Sequence, residues 1–185
     1  MTFYSILFAV AFLASVQDLF LALFTRSLWH LPFPAVVSVL VFIDTIYTTH
    51  YMESKGPDYG LTLKMLDLLG VLFLLLALTV LSPDTNSFVK VGSSAQIFGF
   101  SPHASFWLSL SLYFAVTIVW HLKAGIPPSN LSYGIVVLML VACGLSFFKQ
   151  DGVDAAVAVV ILMVLVVYLV MEQAGVKPRS RSAQR

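Results

Sequence analysis

The acidic residue Asp44 lies near the middle of a long apolar stretch, and polar side chains follow it at helical spacing. Tyr47, Thr48 and Tyr51 come three, four and seven residues later, so all four residues share one face of a helix. A charge in hydrocarbon costs about 3 kcal/mol or more, so it normally faces a bundle interior or a watery path. Because burial favours the neutral form of a carboxyl group, Asp44 is a candidate for binding and releasing a proton.

A second polar stripe occurs on a later apolar stretch, where Ser109, Tyr113, Thr117 and His121 recur every four residues. These side chains also share one helix face, and with the Asp44 face they could line a narrow aqueous route. The alternative is packing, since small hydroxylated residues commonly occupy contacts between membrane helices. Asp44 has an equivalent alternative as a buried hydrogen-bonding residue, with Tyr113 or Thr117 as its partner. The sequence leaves both interpretations open.

Three further charges lie within apolar stretches. Asp18 follows Gln17 well along the first stretch, while Lys64 and Asp67 stand three residues apart near the start of the third. At that spacing the lysine and the aspartate can pair, or the lysine can extend its stem towards water. We therefore interpret Lys64 and Asp67 as structural charges, and Asp44 as the functional candidate.

The composition predicts an integral membrane protein. Of 185 residues, 59% are hydrophobic and 10% are charged, whereas a soluble domain has roughly 25% charged residues. The net charge of +1 gives no reason to expect a nucleic-acid partner. The apolar N-terminal stretch has no Lys or Arg before Arg26, so we interpret it as a retained membrane span and not as a signal peptide.

Six segments meet or approach the roughly 20 residues that a helix needs to cross a bilayer about 30 Å thick. Proline, glycine and polar residues separate them. The sequence therefore predicts an all-α integral membrane protein, with one six-helix transmembrane domain over residues 1–176 and a basic tail over 177–185. The predicted spans are residues 3–24, 34–52, 61–82, 105–122, 131–148 and 153–172.

The basic residues predict the orientation, because Lys and Arg are more frequent on the cytoplasmic side of membrane proteins. The basic tail carries Lys177, Arg179, Arg181 and Arg185, and six spans place Lys55, Lys64 and Lys123 on the same side. Arg26, Lys90 and Lys149 fall opposite. Both termini are therefore predicted to be cytoplasmic, in a multi-pass protein of the plasma (inner) membrane.

Enzyme chemistry has no motif to support it. The sequence contains no HExxH, no GxSxG, no Cys/His metal-binding cluster and no glycine-rich phosphate loop. All four histidines fall near the ends of predicted spans, and the acids are scattered. We therefore predict no enzymatic activity, no cofactor and no metal.

The turn after the second predicted span contains Glu53, Lys55, Gly56, Tyr59, Gly60, Leu61 and Thr62. In these residues it resembles the acetate uptake transporters, the family that contains the succinate–acetate permeases. Family members carry a Glu, a Lys-Gly and then Asn-Thr-Phe-Gly-Leu-Thr at this place. Residues 95–99, 122–125 and 168–172 are also similar to family segments, so the resemblance extends over roughly 50–173.

The resemblance implies a six-span architecture, ring-shaped homo-oligomers and uptake of a small monocarboxylate. The chain departs from the family pattern before and along the first span, where the Asn-Pro-Ala-Pro-Leu-Gly-Leu signature is absent and Gln17-Asp18 stands near the expected asparagine. It also has Leu66-Asp67-Leu68 in place of the family's Ser-Tyr-Gly. These departures lie close to the family's permeation path, so the resemblance implies architecture more directly than substrate.

Two functions follow as alternatives. The first is a transporter or channel for a small solute, such as acetate, that passes among spans one to four with protonation at Asp44. The second is a non-catalytic subunit or scaffold whose intramembrane acids pair with the helices of another membrane protein. The expected partners are the lipid bilayer, further copies of the chain and a small solute, with a membrane-protein partner under the second alternative.

Overall fold

The computed structural model describes residues 3–25, 31–55, 60–81, 100–126, 130–148 and 151–175. In this part of the chain, long apolar runs form six α-helices, and there is no strand. The all-helical fold is therefore as predicted. One turn of 3₁₀-helix, Ser146–Phe148, follows the fifth helix. The helices are α1 Phe3–Thr25, α2 Pro32–Lys55, α3 Leu61–Leu81, α4 Pro102–Ala124, α5 Asn130–Leu145 and α6 Asp151–Gly175.

Helices α2 and α4 begin earlier than predicted, each at a proline. Proline fits the first turn of a helix, where its missing N–H would have no intrahelical partner. The side chain of Ser101 caps α4 by accepting a hydrogen bond from the backbone N–H of Ala104 at 3.2 Å. At the other end Gly125 adopts a φ of 73°, which suits glycine, and the N–H of Ile126 bonds the carbonyl of His121 at 2.9 Å.

Helix α4 is central to the packing. It lies most extensively against α3 and then against α5, while α2 packs on α1 and α6. The contacts between α2 and α4 are made by large side chains, since the Phe33 ring meets those of Phe106 and Trp107 at 5.4 and 6.0 Å. These large side chains hold the two backbones apart. Space therefore remains between the helices at levels where the facing side chains are smaller. The candidate site lies in such a space.

Among the described residues, two helices are long and apolar enough to cross a membrane. They are Leu61–Val80 in α3 and Pro102–Ala124 in α4. The other four contain shorter apolar segments, and all six helices expose large apolar side chains, such as Leu13, Val137 and Met163. The arrangement as six spans and the cytoplasmic position of both termini stay predictions. Residue 176 and the basic tail lie outside the described residues.

Candidate functional site

A cavity of about 50 Å³ lies between α2, α3 and α4, with Leu165 of α6 also in its wall. A buried water molecule needs about 10–15 Å³ on this measure, so the cavity has room for about three to five waters or a solute of that size. Its wall is mostly apolar. The polar side chains that line it are Asp44, Thr48, Asp67, Tyr113, Thr117 and His121.

Asp44 accepts a hydrogen bond from the phenol hydroxyl of Tyr113, which joins α2 to α4 across the cavity. The contact confirms the expectation that Tyr113 or Thr117 reaches this carboxyl group. Tyr113 is buried, and its ring lies against the backbone of Gly70 on α3, where an added Cβ would stand 3.5 Å from the ring. The Tyr113 ring therefore packs on α3 at Gly70 while its hydroxyl reaches Asp44 on α2.

Asp67 is buried and lines the same cavity, so two carboxyl groups from neighbouring helices share one small space. The two carboxyl groups are close enough to interact electrostatically. Like charges this close oppose each other, which favours states in which a proton or a cation compensates one of them. Lys64 is half-buried one turn earlier on α3, and its pairing with Asp67 stays a prediction. No Lys or Arg is among the described lining residues.

The polar stripe of α4 divides into two parts. Tyr113, Thr117 and His121 line the cavity, as the transport interpretation predicted. Ser109 is buried outside it and donates to the carbonyl of Ser105 at 2.8 Å, so the packing interpretation holds for this residue. The Nδ1 atom of His121 lies 2.8 Å from the carbonyl of Thr117, which places a proton on Nδ1 because a carbonyl can only accept.

Tyr51 is not among the lining residues, although it shares the Asp44 face of α2. Its ring meets the ring of Trp120 edge-to-face at 4.9 Å, and its hydroxyl donates to the carbonyl of Ala124 at 3.0 Å. Trp120 itself lines the cavity. Tyr51 therefore packs on a residue of the cavity wall, and its place on the solute path stays a prediction.

Two further candidates are Tyr47, predicted on the solute path, and Asp18, predicted as an intramembrane charge. The side chain of Tyr47 lies outside the described residues. Asp18 is half-buried on α1, and α1 contributes none of the described lining residues. The described lining residues belong to α2, α3, α4 and α6, and a contribution of the first span to the path stays a prediction.

The turn that carries the family resemblance does not line the cavity where it is described. Glu53 and Lys55 lie in the last turn of α2, and their side chains are outside the described part of the structure. Gly56 and Tyr59 lie wholly outside it. Gly60 precedes α3, whose first residues Leu61 and Thr62 are exposed.

A second polar cluster, which the sequence analysis missed, surrounds Asp154 near the start of α6. Asp154 is buried, accepts a hydrogen bond from the hydroxyl of Ser146, and has its Oδ2 atom 3.6 Å from Nδ1 of His103. The His103 ring stacks on Phe33 at 5.2 Å. The cluster thus connects α2, α4, the 3₁₀ turn and α6. Asp154 falls inside the sixth predicted span, so the argument applied to Asp44 could have found it.

Comparisons of this chain with protein-family models, with curated proteins and with solved structures find no match. The resemblance to acetate uptake transporters therefore stays an expectation. Although Asp44, Asp67 and His121 line one cavity, no group of three or more His, Cys, Asp or Glu side chains among the described residues is arranged to hold a metal ion.

Proposed function

We propose that this chain is a multi-pass membrane protein that carries a small solute together with a proton through the cavity between α2, α3 and α4. The observation behind the proposal is that Asp44 and Asp67, on neighbouring helices, line one cavity. Two acids inside a membrane bundle are costly to keep, and they normally mark a path for ions, protons or substrates. A proton that binds to this pair removes one charge and makes the cavity compatible with a weakly acidic solute.

The outer surface of the bundle supports a membrane location. Soluble monomers rarely expose contiguous apolar patches larger than a few hundred Å². Here large apolar side chains are exposed on every helix, and they include Leu23 on α1, Leu72 on α3 and Val167 on α6. Hydrocarbon on all sides would cover these groups, which fits the proposed six spans.

The cavity limits the class of solute. Its volume of about 50 Å³ suits a molecule of roughly the size of acetate. A free carboxylate anion would meet the negative charges of Asp44 and Asp67, with no Lys or Arg among the described lining residues to offset them. We therefore propose that a small monocarboxylate, which the family resemblance implies, crosses in its neutral form or with a co-bound proton.

The function is tested by flux into liposomes that contain the purified protein. We expect uptake of labelled acetate and of labelled lactate to rise with an inward proton gradient and to fall when a protonophore dissipates that gradient. Empty liposomes measure the background of neutral acid that crosses the lipid itself. Uptake equal to this background at both pH 6 and pH 8 would exclude the proposed transport.

The membrane orientation has its own test, because six spans place the segment after α3 opposite the C-terminal tail. Ser87→Cys and Ser180→Cys are introduced separately into a Cys143→Ser chain and labelled with an impermeant thiol reagent. We expect the two cysteines to react from opposite sides of the membrane. Reaction of both from one side would contradict the six-span arrangement.

The alternative function is a non-catalytic subunit of a larger membrane complex. The apolar outer faces of α5 and α6, which expose Val137, Val141, Val160 and Met163, would suit a protein neighbour as well as lipid. Mass measurement in mild detergent distinguishes the two. A stable homo-oligomer favours the transporter, whereas a chain that remains intact only with a co-purifying protein favours the subunit.

A further inference from the structure

An apolar cluster separate from the main core lies beside the cavity, and we name Tyr51, Leu63 and Trp120 the aromatic plug. Leu63 of α3 and Trp120 of α4 are buried at its centre, and Tyr51 of α2 packs against them. Three helices therefore meet at this cluster. Trp120 belongs both to the plug and to the cavity wall.

The plug lies at a defined distance from the carboxyl groups. Tyr113 contacts Asp44, and seven residues further along both helices Trp120 contacts Tyr51. Seven residues of α-helix rise about 10 Å, so the plug lies two turns beyond the Asp44–Tyr113 hydrogen bond. Because the same step applies to both helices, α2 and α4 run in the same direction, and the plug lies between them towards the C-terminal end of α4.

Tyr51 is fixed at both ends of its side chain. Its ring contacts Trp120, and its hydroxyl donates to the carbonyl of Ala124, the last residue of α4. Carbonyl groups in the last turn of a helix lack intrahelical partners, so this hydrogen bond satisfies a group that would otherwise need water. The bond holds the Tyr51 ring against the indole.

We propose that the indole of Trp120, held in position by Tyr51, closes the cavity towards the C-terminal end of α4 and determines the largest solute that can pass. Trp120 is then the specificity-determining residue of the path, and Tyr51 is its positioning residue. The inference rests on the proposed transport function. The indole is the largest side chain in the cavity wall, so a smaller residue at position 120 widens this end.

The first test measures closure without any transport assay. Thr48, which is buried in the cavity wall, is replaced by cysteine in a Cys143→Ser chain, and its reaction with a small charged methanethiosulfonate is followed in detergent. We expect Trp120→Ala to accelerate labelling at least about tenfold. Tyr51→Phe keeps the ring but removes one hydrogen bond, so we expect it to accelerate labelling about fivefold. Tyr133→Phe, the same change on an exposed face of α5, should leave the rate unchanged.

Size-exclusion chromatography shows whether Trp120→Ala folds. If it does not, Trp120→Phe widens the same end of the cavity by a smaller amount. Labelling rates within twofold of the parent for folded Trp120→Phe and Tyr51→Phe chains would overturn the proposal. In liposomes, widening should raise lactate flux relative to acetate flux at least about threefold, and an unchanged ratio would also overturn the assignment of specificity. If the Trp120 and Tyr51 variants label faster but the protein shows no solute flux, Trp120 still closes the cavity and the proposed transport function is refuted.

Discussion

The phenol hydroxyl of Tyr113 on α4 donates a hydrogen bond to the carboxyl group of Asp44 on α2. The two helices meet through side chains of this kind, whereas α4 packs most extensively on α3. A shift of α2 relative to α4 would therefore change the hydrogen bonding of Asp44 together with the packing of Phe33 on Phe106 and Trp107. This relationship gives a physical route by which protonation of Asp44 and the arrangement of two helices influence each other.

The first prediction concerns Asp44→Asn. Asparagine has nearly the same shape and can still accept the hydrogen bond from Tyr113, so we expect the melting temperature to change by only a few degrees. It cannot bind a proton, so solute flux should lose its dependence on pH. Both quantities are measured on the same preparation. Flux that matches the parent at every pH would end the role of Asp44 in protonation, and a strongly lowered melting temperature with normal pH dependence would identify a structural hydrogen bond.

The second prediction concerns Tyr113→Phe, which removes the hydroxyl and keeps the ring against Gly70. A hydrogen bond donated to a carboxylate favours its charged form, so loss of the donor favours the protonated form. We therefore expect the pH midpoint of flux to move upwards, and stability to fall by about 1–2 kcal/mol. Tyr133→Phe on exposed α5 is the control. A downward shift of the midpoint would mean that Tyr113 interacts mainly with the neutral acid.

Helix spacing was sufficient to predict one wall of the site. The four-residue recurrence on α4 identifies Tyr113, Thr117 and His121 as neighbours, and the structure places all three in the cavity wall. Spacing could not separate Ser109 from them, because a serine on the same stripe can turn its hydroxyl to its own backbone, as Ser109 does. Periodicity identifies a helix face, but it does not determine whether that face meets a cavity or another helix.

Contacts between helices were harder to predict than the helices themselves. Tyr51 shares the Asp44 face, yet its ring packs on the indole of Trp120, which lines the cavity, and no pattern within α2 reveals a neighbour's side chain. The Asp154 cluster depends on a 3₁₀ turn that brings Ser146 to the first turns of α6. Such a turn leaves no mark in hydrophobic periodicity.

The third prediction uses Gly70. A methyl group there would lie 3.5 Å from the Tyr113 ring, which is ordinary contact, and alanine favours a helix over glycine by about 1 kcal/mol. We expect Gly70→Ala to melt at or above the parent temperature. Gly70→Leu should cost about 2 kcal/mol by overpacking and should block flux, because the side chain displaces Tyr113 or fills the cavity.

Gly144→Leu is the matched control, since Gly144 is exposed and a Cβ there meets nothing within 4 Å. Thermal melts and flux of the three variants are compared. A Gly70→Leu chain with normal flux would show that the solute does not pass beside Tyr113.

The fourth prediction concerns Asp154, which connects Ser146 of the 3₁₀ turn and His103 of α4. Asp154→Ala leaves two polar groups without this partner in a buried region, so we expect a loss of about 3 kcal/mol. Asp154→Asn keeps an acceptor for the Ser146 hydroxyl and should cost about 1 kcal/mol. Val153→Ala, at the neighbouring exposed position, is the control for the loss of side-chain volume.

A double-mutant cycle with Ser146→Ala separates the pair from its surroundings, and a coupling of about 1 kcal/mol is expected because the two side chains are in direct contact. Asp154 does not line the cavity, so flux per folded protein should match the parent in Asp154→Asn. Parent-like melting of Asp154→Ala would remove the structural role of the cluster. If Asp154→Asn instead abolishes flux at an unchanged melting temperature, the solute or proton path extends from the cavity to the His103 end of α4.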